Sequence, residues 1–198
     1  TSFRRGVATK LMDACIDTAA KRGFAGWLDA TPDGATVYAP LGFTPTLQLR
    51  RLRLEILAMP KAAVSQARSA DDLERLIARD GLAMGFDRSA LLAELGGRPG
   101  SRLVSSDGAA ALVRDGRKAR HIGPLFADDP DQALALVHEI IRSETGSVLI
   151  DAVGTQDEFL EGLTRSGWTI ERPFQRMRLG GTTAQRAELP FAVAGPEY

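Results

Sequence analysis

Cysteine, histidine and long apolar runs are all scarce in this chain of 198 residues. Cys15 is the single cysteine, so no internal disulfide can form, and the reducing cytoplasm is the expected location. Only His121 and His138 accompany it, which excludes a zinc site of ordinary ligand spacing; no metal is expected. No apolar run approaches the roughly 20 residues that cross a bilayer as a helix. The chain opens on Thr1 without a charged-then-apolar leader and reads as a processed chain or a fragment. Charge of either sign is not in excess: 25 Lys and Arg balance 25 Asp and Glu, which argues against bulk attraction to nucleic acid or an acidic membrane. With 44% hydrophobic and 25% charged residues, the composition suits one large or two small globular domains.

Local patterning alternates helix and strand. Val7, Leu11, Ala14, Cys15 and Thr18 share one face of a predicted helix over 6–22, closed by Lys21-Arg22-Gly23, which places Cys15 in a buried stripe. Phe24–Ala30 reads as a strand, Pro32–Ala39 as a short helix, and Phe43–Leu57 as a long strand in which Leu47, Leu49, Leu52 and Leu54 interleave with Gln48, Arg50, Arg51 and Arg53. Met59-Pro60-Lys61 looks like a joint. A short strand near Val64 is predicted, then helices over 70–79, capped by Ser69, and 89–95. Strands follow over 103–105, 110–114 and 120–126, then helix 131–144, strand 147–152, helix 157–165 and strand 168–179. The tail beyond Gly180 is expected to be irregular.

The two ends of this pattern echo one another. Gly23, Leu28-Asp29-Ala30, Gly42-Phe43, Arg51 and Leu54 have counterparts in Gly146, Ile150-Asp151-Ala152, Gly167-Trp168, Arg176 and Leu179. The offsets from Gly42 to Arg51 and Leu54 equal those from Gly167 to Arg176 and Leu179, so two related α/β halves are expected.

Arg4-Arg5-Gly6-Val7-Ala8-Thr9, directly ahead of the first helix, is the most informative junction. Bare N–H groups at a helix N-terminus, with the helix dipole behind them, attract an anion, and two arginines add charge and donors. Together with Tyr38-Ala39-Pro40-Leu41-Gly42-Phe43, this run resembles the GNAT superfamily of N-acetyltransferases. In that family a Gln/Arg-x-x-Gly-x-Gly/Ala loop binds the pyrophosphate of acetyl-CoA through backbone N–H groups; Gly6 and Ala8 match its last two fixed positions, and Phe3 stands at the first. The resemblance implies a mixed-sheet α/β (α+β) fold. Residues 1–58 would form the C-terminal part of an acetyl-CoA-binding domain whose earlier strands lie upstream of Thr1. Residues 61–198, with His121-Ile122-Gly123-Pro124-Leu125 and Arg172-Pro173-Phe174, look like the second GNAT-like domain of some bacterial acetyltransferases. In that half Asp128-Asp129-Pro130-Asp131 precedes the helix, and its charge would repel a pyrophosphate.

The same resemblance implies acetyl-CoA as co-substrate, held at Arg4, Arg5, Gly6, Val7, Ala8 and Thr9, and Tyr38 as the acid that protonates the leaving thiolate. A phenol keeps its proton at neutral pH, as that role requires; the alternative for Tyr38 is a core residue with a bonded hydroxyl. Asp29 and its counterpart Asp151 either hold a substrate amine or serve a turn or cap. His121 is a base or a satisfied structural group, and His138 a partly exposed helix residue. The Arg50, Arg51 and Arg53 cluster meets a ribose phosphate, an acidic substrate or only solvent. Two functions follow: transfer of acetyl to the amine of a small molecule or peptide, or ligand binding by a GNAT-like module without turnover. Strand edges left by a missing upstream half invite pairing with a second copy.

Overall fold

The computed structural model describes residues 6–57, 70–181, 186 and 189–195. The elements run α1 (Val7–Arg22), β1 (Gly26–Ala30), α2 (Pro32–Tyr38) with a 3-10 turn at Ala39–Leu41, β2 (Thr44–Ile56), α3 (Ala70–Met84) and α4 (Ser89–Gly97). They continue as β3 (Arg102–Ser106), β4 (Ala109–Asp115), β5 (Arg120–Ala127), α5 (Pro130–Ile141), β6 (Gly146–Val153), α6 (Asp157–Arg165), β7 (Thr169–Leu179) and β8 (Pro190–Ala192). The joint at Met59-Pro60-Lys61, the strand near Val64 and the Ser69 cap lie outside the described residues, as do Phe3, Arg4 and Arg5.

All eight strands form one mixed sheet in the order β1-β7-β2-β6-β8-β5-β4-β3. Most neighbours are antiparallel; β5 and β6 are parallel over Arg120–Ile122 and Val148–Ile150. This is the mixed α/β architecture that the alternating pattern implies. The tail is not irregular throughout: β8 fills the wedge where β5 and β6 part, pairing with Leu125 and Phe126 on one side and Ala152 on the other. Its backbone comes so close that a Cβ at Gly123 would stand 2.1 Å from the Val193 carbonyl oxygen, which is why that position has no side chain.

The two halves are interleaved. β7, from the second half, lies between β1 and β2 of the first; β2 in turn lies between β7 and β6. At the centre Leu49 pairs with Phe174, and these two are as far apart in sequence as Gly42 and Gly167 or Arg51 and Arg176. The Leu49–Phe174 pair therefore marks a local two-fold axis that exchanges β1 with β6 and β2 with β7.

Alternation along the strands sends two sets of side chains to opposite faces. On one face α5 and α6 bury Leu136, Val137, Ile140, Phe159 and Leu163 against Leu52, Val113, Ile122 and Ile150. Each such fully buried aliphatic or aromatic side chain contributes on the order of 2 kcal/mol. On the same face α1 and α2 place Met12, Ile16, Ala35 and Tyr38 around Ala30, Phe43 and Met177. The opposite face carries α3 and α4, whose Leu76, Ala83, Leu92 and Leu95 pack on Leu103, Leu112 and Phe126.

The buried face of α1 differs from the expected one. Met12 and Ile16 meet the sheet, whereas Val7 and Leu11 are 74% and 67% exposed and Cys15 is exposed. The two apolar rows lie side by side on the helix, and only the row facing Ala30 and Met177 finds partners among the described residues.

Candidate functional site

Glycine at the start of α1 leaves the helix without a side-chain cap, and its first turn has no acidic residue. The Lys10 N–H donates to the Gly6 carbonyl at 3.2 Å, which closes the first helical turn. A Cβ at Gly6 would meet nothing within 4 Å among the described residues. At the equivalent helix α5, Asp129 is the N-cap: its carboxylate accepts from the Gln132 N–H at 2.8 Å, Asp131 stands in the first turn, and Asp128 pairs with Arg79. One repeat thus begins its helix on a glycine with no side-chain cap, and the other caps its helix with its own carboxylate.

Tyr38 ends α2 half-buried, with its ring edge-on to Phe43 at 5.9 Å between centroids. Its hydroxyl has no hydrogen-bond partner among the described residues, unlike a core tyrosine whose OH is tied down. Tyr38 and α1 share one apolar cluster, which places both on the helix-covered side of β1.

The opposite side of β1 opens on a cavity of about 480 Å³. Trp27 and Phe86 line it, 5.6 Å apart between ring centroids, with Met84 and Leu91 completing an apolar wall. Asp29 and Arg176 form its floor, joined by two hydrogen bonds of 2.7 Å, with side chains only 2% and 3% exposed. Asp29 is therefore neither a cap nor an open amine holder. A similar buried pair, Asp80 and Arg88, braces α3 against the approach to α4. Tyr38 does not line this cavity.

The two-fold counterpart of that floor is the Arg51–Asp151 pair, with hydrogen bonds of 2.7 and 2.8 Å. Here His121 joins it, its Nε2 standing 2.9 Å from the second Asp151 oxygen. Burial raises the Asp151 pKa, but the hydrogen bonds from His121 and Arg51 and their positive charge outweigh it, holding the carboxyl down at about 2. Burial also dominates at His121, pushing its pKa below the ordinary value with help from nearby Arg114 and Arg51; the Asp151 hydrogen bond opposes but does not reverse this. The ring is therefore neutral near pH 7. Its Nε2–H donates to the carboxylate, and Nδ1 is left as a bare acceptor. Arg51 is thus a buried structural cation, whereas Arg53 bonds Glu171 at the surface and Arg50 reaches only the Leu49 carbonyl. His138 is exposed and meets the Ser166 hydroxyl at 2.9 Å.

Sequence reasoning missed the aromatic lining of Trp27 and Phe86. It also missed the pairing of each repeat's acid with the other repeat's arginine. The signal for that pairing is present: a single carboxylate in each apolar strand segment, Leu28-Asp29-Ala30 and Ile150-Asp151-Ala152, and an arginine at matched positions in the strands that follow.

Residues 76–192, more than half of the chain, match a family model described as an acetyltransferase (GNAT) domain. The chain belongs to the GNAT acetyltransferase family. Its fold is similar to that of a putative acetyltransferase from Pyrococcus horikoshii, with a TM-score of 0.74 and 22% identity, over 98% of this chain and 66% of that one. A GCN5-related N-acetyltransferase from Sphaerobacter thermophilus matches with a TM-score of 0.61 and 15% identity, over 92% of this chain and 71% of that one. The GNAT chain thus spans about two-thirds of the length of these structures. No curated protein matches it. Among the described residues no helix is long and apolar enough to cross a membrane, and no cluster of metal-ligating side chains is present.

Proposed function

We propose that this GNAT chain transfers acetyl from acetyl-CoA to a primary amine of a small molecule or peptide, in the cytoplasm, through two GNAT-like halves of which the first, over 1–58, holds the co-substrate. The observation that carries this reading is that α1 starts on a glycine with no side-chain cap and no acidic residue in its first turn, whereas α5 is capped by the Asp129 carboxylate. Backbone N–H groups of Gly6, Val7, Ala8 and Thr9, with Arg4 and Arg5 beside them, would receive the pyrophosphate. The lack of a described neighbour within 4 Å of a Cβ at Gly6 suits the close approach of a phosphate to the backbone.

Chemistry then needs little from the protein beyond orientation and a proton. The amine nitrogen attacks the thioester carbonyl carbon, the C–S bond breaks, and the electron pair leaves on sulfur. The Tyr38 hydroxyl, unbonded within the described chain, donates its proton to that thiolate and is reprotonated from solvent, while the new amide nitrogen loses its proton to water. The aromatic cavity over Trp27 and Phe86 is the natural place for an apolar part of the acceptor. A second copy of the chain is a further expected partner, because among the described residues β1 pairs with β7 alone and forms one edge of the sheet.

Amine-dependent release of thiol from acetyl-CoA tests this directly. Release that rises with added primary amine supports the transferase; binding of acetyl-CoA with no amine-dependent release would instead mark a ligand-binding module.

A further inference from the structure

The second repeat has a cavity of its own at the place equivalent to the aromatic one. It measures about 310 Å³ and lies between the β4–β5 turn and strands β2 and β7. Leu149 stands there in the repeat position of Trp27, and the Arg51–Asp151 pair replaces the Asp29–Arg176 floor. The lining has changed from aromatic to cationic. Arg117 and Lys118 come from the exposed turn, Arg172 from β7, Arg53 from β2 and Arg114 from β4. Glu171 is the one carboxylate in the lining, and it is bonded to Arg53. Arg114 reaches the Ala194 carbonyl. Arg117, Lys118 and Arg172 have no carboxylate partner among the described residues. Arg172 is held over the Phe174 ring, 5.0 Å from its centroid, so its charge is oriented without being neutralised.

One wall of this cavity is His121, only 5% exposed, whose Nδ1 is itself sealed from solvent and has no hydrogen-bond partner among the described residues. Asp151 takes Nε2, so the ring serves the cavity as a wall and a reporter rather than as a ligand. Three cations without carboxylate partners around one cavity call for an anionic ligand. Three cations suit a phosphate monoester, which carries nearly two negative charges at neutral pH, better than a single carboxylate.

We propose that this cavity binds a small phosphate monoester, with the phosphate on Arg117, Lys118 and Arg172. The site is separate from the acetyl-transfer reading and stands or falls without it. A cavity of this size takes a metabolite rather than a polymer.

Because the chain has only two histidines, nitrogen-15 labelling of histidine reports on the site with an internal control. Titration with glycerol 3-phosphate near neutral pH should move the His121 ring-nitrogen resonances saturably and leave those of His138 in place. The double variant R117Q/K118Q, on an exposed turn, should keep its unfolding midpoint and weaken binding by on the order of tenfold or more. Propionate, a single carboxylate of similar size, should bind more weakly. The proposal is overturned if His121 shows no saturable change up to about 10 mM ligand, if R117Q/K118Q binds as well as the parent, or if propionate binds equally well.

Discussion

Arg51 and Asp151 hold each other through two hydrogen bonds of 2.7 and 2.8 Å at the centre of the sheet, and each belongs to a different repeat. Arg176 and Asp29 do the same across the local two-fold axis. The repeated acid and arginine thus work in exchange: each repeat's carboxylate is neutralised by the other repeat's guanidinium. Interleaving of β7 between β1 and β2 makes this possible, and it makes the two halves energetically interdependent.

Breaking one of these pairs should therefore be costly. Arg51→Met leaves the Asp151 carboxylate, which is fully buried, without its main partner; a loss of about 3–5 kcal/mol is expected in chemical denaturation. The double variant R51M/D151L should lose less than the sum of its single changes, because no buried charge is then left unmatched.

Acid should unfold the protein in two steps. His121 is neutral in the fold, and its pKa lies below the unfolded value of 6.5, so the unfolded chain takes up the proton first and stability declines as pH falls below about 6.5. Asp151 has a folded pKa of about 2 against 3.8 unfolded; its contribution, on the order of 2 kcal/mol, is complete above about pH 4 and drains away toward pH 2. Urea midpoints measured across this range should show both steps, and His121→Asn should lack the upper one.

Most elements were legible in the sequence, because 3.6- and 2-residue periodicities and Gly-aromatic boundaries are local signals. The repeat was legible too, through Asp29 and Asp151 and through Arg51 and Arg176. Which strand lies beside which was not. No local pattern records that β7 enters between β1 and β2, or that residues 190–192 turn back to fill the gap between β5 and β6. The same limit hid the His121–Asp151 bond, and it misplaced Cys15, because two adjacent apolar rows on α1 compete and only tertiary contacts choose Met12 and Ile16.

Tyr38→Phe removes one hydroxyl that the described fold does not use. Amine-dependent thiol release should fall by about a hundredfold or more, while the unfolding midpoint stays within experimental scatter. A loss of stability with unchanged turnover would assign Tyr38 to the core instead.

Asp129→Ala uncovers the α5 N-terminus by deleting its cap, at a cost of about 1 kcal/mol in denaturation experiments. Acetyl-CoA affinity should be unchanged, because Asp128 and Asp131 keep that approach acidic.

Calorimetric titration of acetyl-CoA into the parent chain and into Gly6→Asp is the most direct test of where the co-substrate binds. The substitution copies the Asp129 cap onto α1, where an added Cβ meets no neighbour within 4 Å among the described residues. One site per chain in the parent, and binding weakened by on the order of tenfold or more in a variant at least as stable, is the predicted result. Absence of binding to the parent, or equal affinity in Gly6→Asp, would contradict the assignment of residues 4–9 as the pyrophosphate site.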